Sequence, residues 1–486
     1  MIQLYREHPK ALPFLFLTEM WERYGFYVVQ GMLVLYMTQS FGFSDDRGYT
    51  ISGTFTALAY IAPMLGGLVA DRLLGFKTSI VWGGIFLSLG YALLAVWSNG
   101  FYLSLATIIV GNGLFKPNIS SLLGALYKPG SAGRDSGFTL FYIGINLGIL
   151  LAGLTSGAVK DHFGWHAGFA LASIGLLIGL GIFSAGLKWG DMNYEKLSMT
   201  FSENKFLSKP WLLLYCFATI GGISLLMQTE TLANWLLPII GIFLLIYLFM
   251  LAFNQTPDDR NRMITLNILI ISSVVFWTLY WQIFLSVNLY IDRVVNKEVF
   301  GFHIPTTAFY SSESIFIILL GPVLSWSWQT LAQENANPSS LLKFVMAIIL
   351  VGLGFFTLSA STLFPDSMNL INPLWILLSY FLLTVGELLL SPIGLSAVTL
   401  LSPQRYTGMM MGIWFASLGF GGHFAGTIAK LASIPENASD SISQLPIYRA
   451  AFLKYACIAM VVAAILFFVQ LALNRAGSSK QREFTS

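Results

Sequence analysis

Apolar residues run along this chain in fourteen blocks separated by short polar clusters, at approximately 13–38, 50–70, 76–98, 101–124, 137–159, 165–188, 211–229, 232–253, 264–290, 306–330, 341–364, 371–400, 405–433 and 446–474. Each is about as long as a helix needs to be to cross ~30 Å of hydrocarbon, so the pattern predicts an all-α membrane protein. The longest mixed-charge interruption, Trp189 to Pro210, holds Asp191, Glu195, Lys196, Glu203, Lys205 and Lys209. It reads as a cytoplasmic linker, partly an amphipathic interfacial helix. The two blocks after it contain no lysine or arginine and read as an added hydrophobic hairpin. Setting that hairpin aside leaves six helices plus six, the layout of transporters built from two related bundles. The expected divisions are an N-terminal six-helix bundle over 1–188, linker and hairpin over 189–260, a C-terminal bundle over 261–474 and a cytoplasmic tail over 475–486.

The loops set the orientation. With both termini inside, seventeen lysines and arginines fall in cytoplasmic loops and tails and seven in outer ones, the asymmetry of a cytoplasmic N- and C-terminus. The N-terminus is short and polar, and the block behind it is too long and too charged for a cleaved signal peptide, so it is read as the first span.

One block departs from the pattern. Within 13–37, the stretch Glu19-Met-Trp-Glu22-Arg23-Tyr-Gly-Phe26-Tyr27-Val-Val-Gln30 carries three charges. At about 100° per helical residue, positions 19, 22, 23, 26, 27 and 30 share one face. Ionised groups at this depth cost roughly 2.5 to 3.5 kcal/mol each on insertion scales and need partners or an aqueous cavity. The i,i+4 spacing lets Glu19 and Arg23 neutralise each other along the helix, leaving Glu22 for a neighbouring helix. Two readings stay open, a functional site and a structural ion pair that orders a bundle.

Of 486 residues, 56% are hydrophobic and only 10% charged, against about 25% charged in a soluble protein. The net charge of +3 comes with no basic patch, so a nucleic-acid partner is not expected. Cys216 and Cys457 lie far apart in apolar blocks and read as buried hydrophobes. His162 and His166 have a ligand-like spacing but sit in an outer loop with no further ligand nearby, and no metal site is expected. No nucleophile elbow or phosphate loop is present, so catalysis and ATP-driven transport are set aside.

Few other charges fall deep inside a block: Lys116 in Phe115-Lys-Pro-Asn118, Glu313, and Glu387 in Gly386-Glu-Leu-Leu-Leu-Ser391-Pro392; the amide of Asn146 joins them. A cavity basic on one wall, with Arg23 and Lys116, and acidic on the other, with Glu313 and Glu387, suits a zwitterion such as an amino acid or short peptide. Carboxylates in a dry cavity also bind protons more readily, and an approaching cation reverses this. Glu19, Glu22 and Glu387 are therefore proton-site candidates, although structural salt bridges would use the same residues.

The segment Gly66-Gly-Leu-Val-Ala-Asp71-Arg72-Leu-Leu-Gly75-Phe-Lys77 resembles the loop between spans two and three of the major facilitator superfamily, where an aspartate and basic residues hold the cytoplasmic gate. The Glu-x-x-Glu-Arg pattern at 19–23, Phe-Lys-Pro-Asn at 115–118, Phe-Tyr-x-x-x-Asn-x-Gly at 141–148, Phe-Trp at 276–277 and Gly-Glu-x-x-x-Ser-Pro-x-Gly at 386–394 together resemble the proton-dependent oligopeptide transporters over about residues 10 to 475. The resemblance implies the major facilitator fold, two six-helix bundles plus a two-helix hairpin, and symport of di- and tripeptides by alternating access. It implies that Arg23 and Lys116 hold the peptide carboxylate, Asn146 and Glu387 its amino terminus, that Glu19, Glu22, Arg23 and Glu387 couple protons, and that Tyr27, Trp277, Ser391 and Trp414 contribute to the substrate site. It further implies no cofactor beyond the proton gradient, peptides, protons and lipid as partners, a monomer, and, from the hairpin, a bacterial inner membrane.

Three positions depart from that family. Gln30 and Trp281 stand where relatives commonly carry an arginine and a carboxylate that face each other as an outer gate, and losing both leaves no orphan charge. Glu313 stands where an asparagine is usual; it is expected to act as a second amine ligand or proton acceptor, or else to pair with Lys116 or a serine. Transport of another zwitterionic or cationic solute, or a non-transporting receptor, are the alternatives that the residues leave open.

Overall fold

The computed structural model of the chain describes residues 8–127, 132–192, 209–334, 336–438 and 440–483. Among them run α1 (Leu12–Gln39), α2 (Asp45–Val69), α3 (Phe76–Val96), α4 (Phe101–Ala125), α5 (Ala132–Phe163), α6 (Trp165–Trp189), α7 (Lys209–Gln228), α8 (Glu230–Phe253), α9 (Pro257–Tyr280), the short α10 (Ser286–Val294), α11 (Ser311–Gln333), α12 (Ser340–Ser361), α13 (Leu374–Leu401), α14 (Thr407–Ala429) and α15 (Ser441–Glu483). Leaving α10 aside, these are the fourteen helices that the apolar blocks predict, and ten helical segments are long and apolar enough to cross a membrane. A two-residue turn joins the one described hairpin, β1 (Glu298–Val299) and β2 (Phe302–His303). Most of the linker expected over 189–210 lies outside the described residues.

By packing, the chain forms two compact units. The first comprises Met1–Phe43, Thr50–Leu236 and Ile304–Ser314. In it α1 lies against α5 and α6, α3 runs along α4 and α6, and α7 packs on α4. The segment 304–314 belongs here through its hydrogen bonds. Thr307 Oγ1 donates to the Gly153 carbonyl (2.9 Å) and accepts from the Gly157 amide (3.0 Å), Ser311 Oγ donates to the Leu150 carbonyl (3.0 Å), and Tyr310 Oη donates to the Tyr27 carbonyl (3.1 Å).

The second unit comprises Ser44–Tyr49, Leu237–His303 and Ile315–Ser486. Here α12 lies against α13 and α15, and α9 against α14 and α13. The first turn of α2 belongs to this unit because both guanidinium ends of Arg293 donate to Asp45 at 2.7 Å, while the Ile434 amide donates to the same carboxylate at 3.0 Å. Asp45 is 5% exposed. Arg293 keeps 23% of its side chain exposed, so Asp45→Asn is expected to cost roughly 2 kcal/mol rather than the 3 to 5 of a fully buried pair. A lower melting temperature of purified protein, with little further loss in the Asp45→Asn/Arg293→Met double variant, checks this.

The block predicted as continuous over 264–290 is broken. After α9 the chain makes a 3₁₀ turn, Trp281–Phe284, and Leu285 sits at φ −117°, ψ −103° before α10 begins. Side-chain amide chemistry holds the break: Gln282 Nε2 donates to the Ala425 carbonyl (2.9 Å), and Ser286 Oγ donates to Gln282 Oε1 (2.6 Å).

Candidate functional site

In the first unit, α1 is buried along most of its length, so its charged face has no bulk water to lean on; Glu19 and Glu22 are 0% and Arg23 4% exposed. Two acid–base pairs resolve this. Arg23 donates from Nε to Glu22 Oε2 at 2.5 Å and from Nη2 to Glu22 Oε1 at 2.6 Å, a bidentate fork. Lys116 Nζ reaches across from α4 and donates to Glu19 Oε1. The expected i,i+4 ion pair is present, Glu19 Oε1 lying 3.8 Å from Arg23 Nε, but the closer contact of Arg23 is with Glu22, and Glu19 rather than Glu22 engages the neighbouring helix. The reason is directional. The guanidinium closes a planar two-point contact on the adjacent carboxylate, and Glu19, at the longer distance from it, also meets the ammonium of α4.

Asn112, which sequence reasoning passed over, completes the cluster. It accepts from Arg23 Nη2 at 3.0 Å and donates to the Ala59 carbonyl at 2.6 Å, tying α1, α2 and α4 together. Its signal was an amide one helical turn before Lys116, on the same face of an apolar block. The guanidinium also stands 4.8 Å over the Phe26 ring. One oxygen of Glu19, Oε2, has no hydrogen-bond partner among the described residues although it is buried.

Helix α5 backs the cluster closely. A Cβ added at Gly148 would meet the Met20 carbonyl at 2.3 Å and Arg23 Cβ at 3.2 Å, so only glycine allows this approach. Asn146, 2% exposed, donates to the Tyr142 carbonyl of its own helix at 3.1 Å. Tyr27 follows Arg23 by one turn, and its hydroxyl hydrogen-bonds to Tyr60. Gln30 is used within the unit, Nε2 donating to Thr56 Oγ1 at 3.0 Å. Asp71 and Arg72 stand exposed in a π-helical turn, Ala70–Leu74, that follows α2. Glu313, 7% exposed, opens α11 and belongs to this unit.

The second unit holds the remaining residues. Tyr280 Oη donates to Glu387 Oε2 at 2.6 Å, a partner that the sequence does not single out. Ser391 follows Glu387 by one turn of α13, and both are partly exposed. Trp277 packs edge-on to Tyr280 with centroids 5.0 Å apart, and its indole N–H, though buried, has no acceptor among the described residues. Trp414 is 1% exposed and seated on the backbone of Gly394, where an added Cβ would lie 1.9 Å from its ring. Trp281 is committed within the unit, Nε1 donating to the Leu418 carbonyl at 3.2 Å. Gln30 and Trp281 thus each satisfy their polar groups inside their own unit, as side chains without a charge to neutralise can.

A family model described as the POT family matches residues 77–446. Peptide transporter YePEPT of Yersinia enterocolitica is 35% identical, the alignment covering 99% of this chain and 97% of the relative. Dipeptide and tripeptide permease B of Salmonella typhimurium is 33% identical, with 96% of each chain covered. Among solved structures, a variant of peptide transporter POT in complex with alafosfalin superimposes with a TM-score of 0.83 at 32% identity, covering 96% of each chain.

Proposed function

The chain belongs to the POT family, and on that premise we propose that it carries di- and tripeptides across a membrane by proton-coupled symport. The observation that carries the coupling is the double pairing on α1: both cations, the buried Arg23 and the half-buried Lys116 of α4, are already held by carboxylates of α1. A peptide carboxylate that takes Lys116 must displace Glu19. A carboxylate left without its cation in a buried site binds a proton, so peptide and proton arrive together. Release reverses the exchange and returns Glu19 to Lys116.

In this reading Arg23 and Lys116 hold the carboxylate, and Glu387, steadied by Tyr280, holds the amino terminus with Asn146. Tyr27, Trp277, Ser391 and Trp414 shape the surroundings. Gln30, Trp281, Asp71 and Arg72 stand at positions that gate access. The protein works as a single chain in a bacterial cytoplasmic membrane with both termini inside, and the proton gradient is its energy source.

Purified protein in liposomes, with the outside acidic, is expected to accumulate a labelled dipeptide above equilibrium and to lose the accumulation when a protonophore collapses the gradient. Glu387→Gln tests the amino-terminal contact. Free dipeptides should out-compete their N-acetylated forms by about 100-fold in the original protein and by less than about tenfold in the variant, the loss of one charge-assisted contact.

A further inference from the structure

We propose that the buried hydroxyl of Tyr91, on α3, is the positioning group that keeps Glu22 ionised while a peptide is bound, and so holds the coupling at one proton per peptide. The inference rests on the peptide-transport reading above and adds how the site fixes its proton count.

Tyr91 is 0% exposed, yet its hydroxyl has no hydrogen-bond partner among the described residues. Such a group is costly and uncommon in a folded protein. The ring is laid on α1 at Gly25: a Cβ there would stand 2.8 Å from Tyr91 Cε2 and 3.4 Å from Cζ, the carbon that bears the hydroxyl. Gly25 follows Glu22 by three residues, so the two share a face of α1. The hydroxyl is near enough to Glu22 and Arg23 for both charges to act on it. The other charged or titratable groups that act on Glu22 or on its fork are Glu19 of α1, Lys116 of α4 and Tyr60 of α2.

The place a peptide carboxylate must take decides which donor Glu22 loses. Glu19 Oε1 accepts from Lys116 Nζ and lies 3.8 Å from Arg23 Nε, so the position that bridges the two cations is on the Nε side of the guanidinium. A peptide carboxylate that takes this position from Glu19 competes for Nε, the donor to Glu22 Oε2 at 2.5 Å. Glu22 keeps Nη2, 2.6 Å from its Oε1, and with it a cation. Its Oε2 then needs a donor, and the unpaired hydroxyl beside that turn of α1 is Tyr91.

Charge sets what this contact does. In the resting cluster Glu19 and Glu22 balance Arg23 and Lys116. A peptide carboxylate makes three anions against two cations, and one proton, taken from the medium by the displaced Glu19, restores the balance. A hydrogen bond to Oε2 favours the ionised form of Glu22 and keeps a second proton off it. Without that bond Glu22 competes for the second proton.

Calorimetric titration with Ala-Ala, in buffers of different ionisation enthalpy and at several pH values, tests this on the purified original protein, Tyr91→Phe, Glu22→Gln and the double variant. Phenylalanine keeps the ring against Gly25 and removes only the oxygen. Proton uptake per peptide is expected to rise from about one in the original protein toward two in Tyr91→Phe. Affinity above neutral pH should fall about tenfold or more, the loss of one hydrogen bond to a charged group. The melting temperature without peptide should not fall, because the oxygen removed is unpaired there. In the Glu22→Gln background, Tyr91→Phe should leave the proton count unchanged. An unchanged proton count in Tyr91→Phe overturns the proposal, whatever its melting temperature. So does an equal rise in the Glu22→Gln background, which would place the effect on another carboxylate. Absence of Ala-Ala binding by the original protein is a separate result, one that removes the transport reading and the proposal with it.

Discussion

Arg23→Lys is expected to reduce gradient-driven dipeptide uptake by at least about 100-fold while the protein still folds and inserts. An ammonium keeps the charge but supplies no planar fork, so it cannot hold both oxygens of Glu22 and also reach Asn112, as the guanidinium does at 2.5, 2.6 and 3.0 Å. Losing two of these hydrogen bonds to or from a charged group, at about 1.5 to 3 kcal/mol each, is worth about 3 kcal/mol or more, and each 1.4 kcal/mol is a factor of ten. Asn112→Ala provides the graded comparison. It removes one hydrogen bond to a charged group, about 1.5 to 3 kcal/mol, and should cost roughly ten- to 100-fold. Initial uptake rates at matched protein content measure both, and an Arg23→Lys protein that transports within about threefold of the original would refute the arrangement.

Glu19→Gln is expected to separate peptide movement from the proton gradient. Glutamine matches the carboxylate in size and can accept a hydrogen bond from Lys116 but cannot carry a proton. The variant should exchange labelled for unlabelled dipeptide down its gradient, in counterflow, yet fail to accumulate peptide when only a pH gradient is imposed, with a drop in the accumulation ratio of about tenfold or more. Glu19 is singled out over Glu22 by geometry. Glu22 has both oxygens in the fork with Arg23, whereas Glu19 Oε2 has no partner among the described residues, leaving one oxygen ready for a proton. If Glu22→Gln, and not Glu19→Gln, leaves counterflow intact while abolishing accumulation, the assignment between the two carboxylates is reversed.

Much of this was legible in the residues because hydrocarbon imposes a length. Fourteen apolar blocks gave fourteen long helices, and the first, predicted over 13–38, spans Leu12–Gln39. The break after Tyr280 was not legible. Trp281 to Leu285 contains no glycine or proline, and hydropathy cannot see that Gln282 spends its amide on Ala425 and thereby holds a non-helical turn. The exchange of segments between the units was hidden for a related reason. Asp45 and Thr307 look like ordinary loop-edge polar residues until Arg293 and Gly157 are brought to them from about 150 or more positions away.

The charges of the site were equally legible as a set and less so as pairs. Their cost inside an apolar helix marked Glu19, Glu22, Arg23 and Lys116 without any coordinate. Helical spacing suggested Glu19 with Arg23, a pair that stands at 3.8 Å, and the fork geometry of arginine added the closer contact with Glu22. Asn112 and Tyr280 escaped notice because an amide and a phenol cost far less to bury than a charge, and only the partners they hold, Arg23 and Glu387, give them a role.

A peptide carboxylate that displaces Glu19 from Lys116 is expected to bring a proton with it. Calorimetric titration of the purified protein with a dipeptide, at one pH in buffers of different ionisation enthalpy, measures it directly. The account predicts that binding draws protons from the buffer, about one per peptide, and that Glu19→Gln binds the same dipeptide with much smaller proton uptake. A binding enthalpy that is independent of the buffer in the original protein, or an undiminished proton uptake in Glu19→Gln, would contradict it.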